Sequence, residues 1–358
     1  MPVQATNIND VLITSLNNLG RLKFTDLMSN YQNTIALKRI MKQKKMTIES
    51  GPEVQFNVIT DHNDSARHVG LAYVAQLNMP NVMAVGKMPW RHTTWNWMME
   101  RRLVAMNSGD SKIVDIAQTQ RMAAFGSAII LFERTLWRCP SLADFAVNPV
   151  GIPYFVVKSA TDALTDTTNQ GFNGTVPSGY TLVANLNPST DCNGRWKNYA
   201  DAYVYVSKDD LIRRMSRAQF QTDFMPLVDG MPVYNLGDDY GIYTTYFVRR
   251  GMIEILEDQN ENLGNDLNPK DAITSVFMRT PITAVKELEA DTTGPVYMLN
   301  WGEIGAMGLK GEWMREQNFP AEQNQPTVSS TNTDCTWNMF CRNRRRQAVL
   351  STGTSMPA

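Results

Sequence analysis

The stretch 110–140 constrains this chain most, because it reads as one uninterrupted helix. Asn107-Ser108-Gly109 is a turn signal, and Asp110 or Ser111 can cap the amide groups that follow. Met122, Phe125, Ile129, Phe132 and Leu136 recur at spacings of three and four, laying an apolar stripe along one side. Ser127 and Arg134 fall opposite, while Gln118 and Arg121 interrupt the stripe, and tandem Gly126-Ser127 permits a bend. Arg134 and Arg138 suit the carbonyl end of the helix dipole, and Pro140 forbids continuation. At helical rise the segment spans about 40 Å, well beyond an average globular helix. It is either the central helix of a large globular domain or the spine of an extended, sheet-like subunit. The flanks decide between the two.

Ahead of it, 10–19 is a short amphipathic piece, and Asn33 or Thr34 caps a basic helix that runs to about Lys45. With Ile35, Leu37, Ile40 and Met41 as its apolar residues, that arm carries too little apolar surface to fold alone. After the Gly51-Pro52 break, Val54, Phe56, Val58 and Thr60 alternate with Gln55 and Asn57, a strand with one wet face. A second extended run, 82–97, contains Pro89, which argues against a central strand. Two strands joined by a long polar tip form a two-stranded arm, and such arms are marginal in isolation. Trp90, Trp95 and Trp97 are therefore expected at its base, buried against another body. A short helix over 98–106 leads into the spine.

Past Pro140 the texture changes. The stretch 161–197 is dense in Thr, Asn, Gly, Ser and Asp and reads as a surface loop region. Strands are expected at 203–206, 243–248, 273–278 and 295–301. Ser207, with Asp210 three residues on, caps a helix over 209–221 whose Leu211, Ile212 and Met215 face inward, and a second helix runs through Met252 and Leu256 to Gly264. Residues 145–310 thus read as a self-sufficient α+β domain. A last strand over 335–342 places Trp337, Met339 and Cys341 on one face, and the tail 351–358 is expected to fray.

A formal net charge of −1 supplies no global attraction to nucleic acid or membrane, and no apolar run is long enough to span a bilayer. The N-terminus lacks a secretory signal, and the four cysteines, without CxxC spacing, read as reduced cytosolic thiols. Asp61-His62-Asn63-Asp64 with His68 are metal-ligating residue types, but without HExxH or paired CxxC they read as a polar loop tip. Phosphate-loop, dinucleotide and nucleophile-elbow motifs are absent, so no catalytic, cofactor-binding or metal residues are expected. An enzyme would have to use a pocket in 145–310, with Asp238, Asp239 and Glu254 as its carboxylates. A nucleic-acid-binding module would use the cluster at Arg344. The arginine clusters at 101–102, 213–214, 249–250 and 344–346 mostly have acids close in sequence, which favours ion pairs at subunit or domain contacts. Arg344, Arg345 and Arg346 in particular are expected to pair with carboxylates.

The basic helix at 35–45, the run Trp90 to Met106 entering Asn107-Ser108-Gly109, Arg195-Trp196, Pro295-Val-Tyr-Met-Leu-Asn-Trp301 and Cys341-Arg-Asn-Arg-Arg-Arg346-Gln-Ala-Val-Leu350 together resemble the major capsid protein of tailed bacteriophages. The resemblance implies an α+β Hong Kong 97-type fold. It implies an N-terminal arm over 1–47, an extended loop over 48–100 and a peripheral domain with the spine over 101–144. An axial domain over 145–310 and returning peripheral strands with a tail over 311–358 complete it. A virion protein is implied, assembled in host cytoplasm, self-associating as hexamers and pentamers of an icosahedral shell around double-stranded DNA that it touches weakly. Trp90, Trp95, Trp97, Arg101, Arg102, Arg344, Arg345 and Arg346 would lie at subunit interfaces. With some 47 residues ahead of the extended loop, a separate scaffolding protein is expected, along with a portal and decoration proteins. Enzymatic activity and cofactors are not implied.

Overall fold

The computed structural model describes residues 34–41, 46–60, 68–71, 83–106, 110–159, 171–224, 239–258, 276–278, 280–319 and 327–352. The expectations for 10–19, for the arm tip with Asp61, His62 and Asp64, for Asp238, for Gly264 and for 353–358 lie outside these residues.

The spine forms as its pattern requires. After α1 (Ile35–Met41), β1 (Met46–Glu49), β2 (Glu53–Ile59), β3 (Met83–Pro89), β4 (Arg91–Glu100) and α2 (Arg101–Met106), helix α3 runs over Asp110–Leu136, 27 residues long. Ala128, Phe132 and Leu136 are buried along one side, whereas Met122, at the far end of the expected stripe, is exposed. Past the helix, α4 (Ile152–Phe155) begins next to Gly151, whose Cα lies against the last carbonyl groups of the spine. A Cβ there would sit 2.2 Å from the Arg138 oxygen, so only glycine fits.

The remaining elements are β5 (Gly171–Gly174), β6 (Asn198–Ala202), α5 (Arg213–Thr222), β7 (Tyr240–Thr244), α6 (Tyr246–Asp258), β8 (Val276–Phe277) and β9 (Thr280–Ala284). They continue with β10 (Val296–Asn300), β11 (Ile304–Leu309), β12 (Arg315–Phe319), β13 (Val328–Cys341) and β14 (Ala348–Ser351). Ser207 accepts the Asp210 amide at 3.2 Å, as its spacing predicts, ahead of one widened helical turn that leads into α5.

Two larger sheets share the spine. In the first, the 14-residue β13 carries β4 along one edge and β11 and β12 along the other, with β1 parallel to β11. In the second, seven strands run in the order β5-β6-β14-β10-β7-β9-β8. Along β10, Val296 and Met298 point to one buried face and Tyr297 and Leu299 to the other, the period-2 pattern of a strand covered on both sides. Helices α5 and α6, with the widened turn ahead of α5, cover one face through Leu211, Met215, Val248 and Met252. Trp137, just past the spine, covers the other, with ring centroids 5.4 Å from Tyr243 and 6.1 Å from Tyr297.

Three expectations shift. β4 belongs to the first sheet and not to the two-stranded arm, because Pro89 marks where the chain leaves one for the other. The strands read at 203–206 and 243–248 are displaced: β6 ends at Ala202, before the first begins, and Tyr246–Val248 of the second already belong to α6. The 145–310 region is not self-sufficient, since β14 from the C-terminal end sits in the middle of its sheet while β11 joins the other.

Candidate assembly surfaces

The two-stranded arm is one antiparallel pair, with Phe56 opposite Gly86 and Ile59 opposite Met83. Its inner face, Val54, Phe56 and Met88, is buried on the body of the protein, with the Phe56 ring 6.0 Å from Phe340 and 6.2 Å from Trp196. That ring lies across the β3 backbone, and a Cβ on residue 86 would come within 2.4 Å of it. Gly86 is the space the ring occupies. The outer face carries exposed Ile59, Met83 and Val85 toward the end of the arm and exposed Glu53, Gln55, Asn57 and Lys87 along the rest. β3 is fixed on its far side by the Lys87 amide, which donates to the Ala184 oxygen at 2.9 Å, whereas among the described residues β2 pairs with β3 alone.

The three tryptophans do not gather at the arm. Trp90 stands at its foot, where Nε1 donates to the Gly51 oxygen at 2.9 Å. Trp95 packs edge-on against Phe125 and Phe132 of the spine, at 5.7 and 5.8 Å, and Trp97 lies two residues further along β4, opposite Thr331. All three are half-buried by their own chain. Arg101 and Arg102 are exposed at the start of α2, where the Arg101 amide donates to the Thr327 oxygen.

The C-terminal arginines divide. Arg344 is fully buried and not at a surface. It donates to the carbonyl oxygens of Phe155 and Trp196 at 2.7 Å, Thr175 at 2.8 Å and Gly174 at 3.2 Å, and to Asn198 Oδ1 at 3.3 Å. The expected carboxylate pairing therefore fails here: a ring of oxygen dipoles solvates the planar fork in place of a counter-ion. Burial pushes its pKa down to about 10. Arg345 stacks over the Phe172 ring at 3.9 Å, and burial and the like charge of Arg195 lower its pKa. Arg346 reaches Glu303 at 3.8 Å, a pairing of the expected kind. So do Arg213 with Asp209, Arg214 with Asp201 and Asp210, and Arg250 with Glu254.

Beside β2, Arg195, Arg342 and Arg345 come together around a cleft of about 700 Å³ whose wall includes residues 57–60 and Trp196.

Glu133 is a residue that the sequence pattern hid. It lies buried on the spine and accepts the amides of Ile35, Ala36 and Leu37 and the Trp137 indole N–H, at 2.8 to 3.0 Å. Burial raises its pKa more than these donors lower it. The spine thereby supplies an anion to the first turn of α1, while Asn33, one of the two expected caps, lies outside the described residues. Arg39 of α1 reaches Asp239 at 2.5 Å. Asp239 and Glu254, the carboxylates an enzyme would have used, are each held by an arginine, and among the described residues no cluster of His, Cys, Asp and Glu could hold a metal ion.

Solved structures match this architecture along nearly the whole chain. The cyanophage A-1(L) capsid asymmetric unit aligns with a TM-score of 0.62 at 12% identity, over 92% of this chain and 94% of that one. The chain has a phage-capsid fold. The capsid of a native GTA particle aligns at 0.55 with 10% identity, and that of an empty GTA particle at 0.53 with 9%, each over 94% of both chains. Neither a family model nor a curated protein matches the sequence. At identities of 9–12% the likeness is one of fold.

Proposed function

We propose that this chain is the structural subunit of a phage shell, a major capsid protein of the Hong Kong 97 type without enzymatic activity. The observation that carries the reading is the match in fold to phage-capsid and GTA-capsid chains over 92% and 94% of this chain. The arm supports it: Ile59, Met83 and Val85 form an apolar patch on its outer face that a monomer leaves in water and a neighbouring copy would cover. On this reading the arm is the extended loop, the spine and the β13 sheet are the peripheral domain, and the seven-stranded sheet is the axial domain. Hexamers and pentamers of the subunit enclose double-stranded DNA, assembled in host cytoplasm with a separate scaffolding protein and a portal. Trp97, Arg101 and Arg102, half-buried or exposed on β4 and α2, are the interface residues this reading retains, and Arg344 is not one of them. The test is light scattering behind size-exclusion chromatography, with negative-stain microscopy, on purified protein. Closed shells or discrete capsomers are expected, and a monomer at all concentrations overturns the proposal.

A further inference from the structure

We propose that the arginine-lined cleft beside β2 is a docking site for an extended acidic segment of a separate polypeptide. The proposal goes beyond the shell reading and does not depend on it. Residues 57–60 are four consecutive positions, and all of them line the cleft. Successive side chains of a strand point to opposite faces, so a run lining one cleft presents its edge. β3 occupies the other edge of β2, so the edge at the cleft is the unpaired one, and among the described residues its backbone bonds run only to β3. A row of outward N–H and C=O groups is a template for one more strand.

The charge on the opposite wall selects what that strand carries. Arg195, Arg342 and Arg345 line it, the charge of Arg344 lies immediately beneath, and none of the described lining residues is acidic. Arg345 stays in this like-charged company because Phe172 stacks on its guanidinium. Guanidinium forks so gathered match carboxylates. A nucleic-acid backbone would match the arginines equally but offers no N–H donors, leaving the carbonyl groups of the β2 edge desolvated and unpaired. Asp239, Glu287, Asp291, Glu303, Glu312 and Glu316 are each already held by a cation of their own chain, whereas Glu49, Glu53 and Asp144 are exposed, so a second copy is an outcome that the experiment has to separate.

The experiment titrates the full chain with a fluorescent ten-residue peptide of alternating Glu and Val, read by anisotropy at low and physiological salt. Saturable binding is expected. It should weaken at least about tenfold for the Gln-for-Glu peptide, for a peptide N-methylated at alternate amides, and for the protein Arg342→Gln/Arg345→Gln. Equal binding of the N-methylated peptide removes strand addition and overturns the proposal, with no protein variant needed. Arginine-dependent binding of duplex DNA that displaces the peptide assigns the cleft to nucleic acid and overturns it. Loss of wild-type self-association in the double variant assigns the cleft to a second copy and also overturns it. A wild-type chain that binds peptide but forms no shells leaves this inference standing and removes the shell reading.

Discussion

The Glu133 carboxylate accepts the amide of Leu37 at 2.8 Å, across 96 residues of sequence. With the Ile35 and Ala36 amides on its other oxygen, it serves as the N-terminal anion of α1, and α1 in turn covers the apolar side of the spine. Helix α1 is seven residues long, too short to persist alone, so this one side chain decides where the N-terminal arm is anchored. Glu133→Ala is expected to destabilise the subunit by about 3 kcal/mol, because buried amides and an indole N–H lose their acceptor together. Urea denaturation measures it, and a loss below about 1 kcal/mol would show that the anchor lies elsewhere.

The same carboxyl gives a pH signature. Its folded pKa is raised above the ordinary value by burial, so between the unfolded and folded pKa the native state binds more proton than the unfolded chain. Stability from this group is therefore greatest at low pH and declines as pH rises through the window just above the usual carboxylate range. Melting temperatures of wild type and Glu133→Gln, compared across that window, should diverge, with the wild type losing ground as pH rises. Parallel curves would remove the linkage.

Gly86 and Phe56 set the rigidity of the arm. Gly86→Ala places a methyl group within 2.4 Å of the Phe56 ring and should cost about 1–3 kcal/mol locally. Amide exchange in β2 and β3 should quicken while the seven-stranded sheet keeps its protection. Phe56→Leu in the same chain should restore part of the loss, and an unchanged arm in the single variant would count against this packing.

Much of the spine was legible because its signals are local. Asp110 begins it, Pro140 lies shortly beyond its end, and the Ser207 cap of the widened turn before α5 is a matter of three residues. Glu133 was not legible: a glutamate between Phe132 and Leu136 looks like an interruption at the rim of the stripe until its partners arrive from position 35. The limits of the middle region failed for the same reason. β14 is four residues of mostly apolar sequence, and only its pairing with β6 on one side and β10 on the other reveals that it belongs inside that sheet. The cleft was invisible because Arg195 and Arg345 are 150 positions apart.

On the shell reading, removal of 61–79 should leave a folded subunit that no longer closes. The segment joins β2 to β3 and lies mostly outside the described residues, while both sheets and the spine are built without it. Cooperative melting should survive within a few degrees, and shells should disappear from micrographs. Loss of cooperative melting would show that the segment belongs to the fold.

Arg344, Arg345 and Arg346 should separate cleanly in mutagenesis, although they are neighbours of one type. Arg344→Lys keeps the charge but cannot serve the oxygens of Phe155, Trp196, Gly174, Thr175 and Asn198 at once, and it is expected to cost about 3 kcal/mol or more. Its loss should be nearly insensitive to salt, because no opposite charge is screened. Arg346→Gln gives up a contact with Glu303 at 3.8 Å, partly exposed on both sides, and should cost no more than about 1 kcal/mol. Arg345→Gln removes a cation from above Phe172 but also relieves its repulsion from Arg195, so stability should change by less than about 1 kcal/mol. Denaturation of the three single variants, each at two salt concentrations, reads all of this directly. A triple Arg→Gln variant would fail first as a fold, through Arg344, and so reports nothing on assembly. Equal costs at the three positions would overturn the division between a buried structural guanidinium and two cations at the surface.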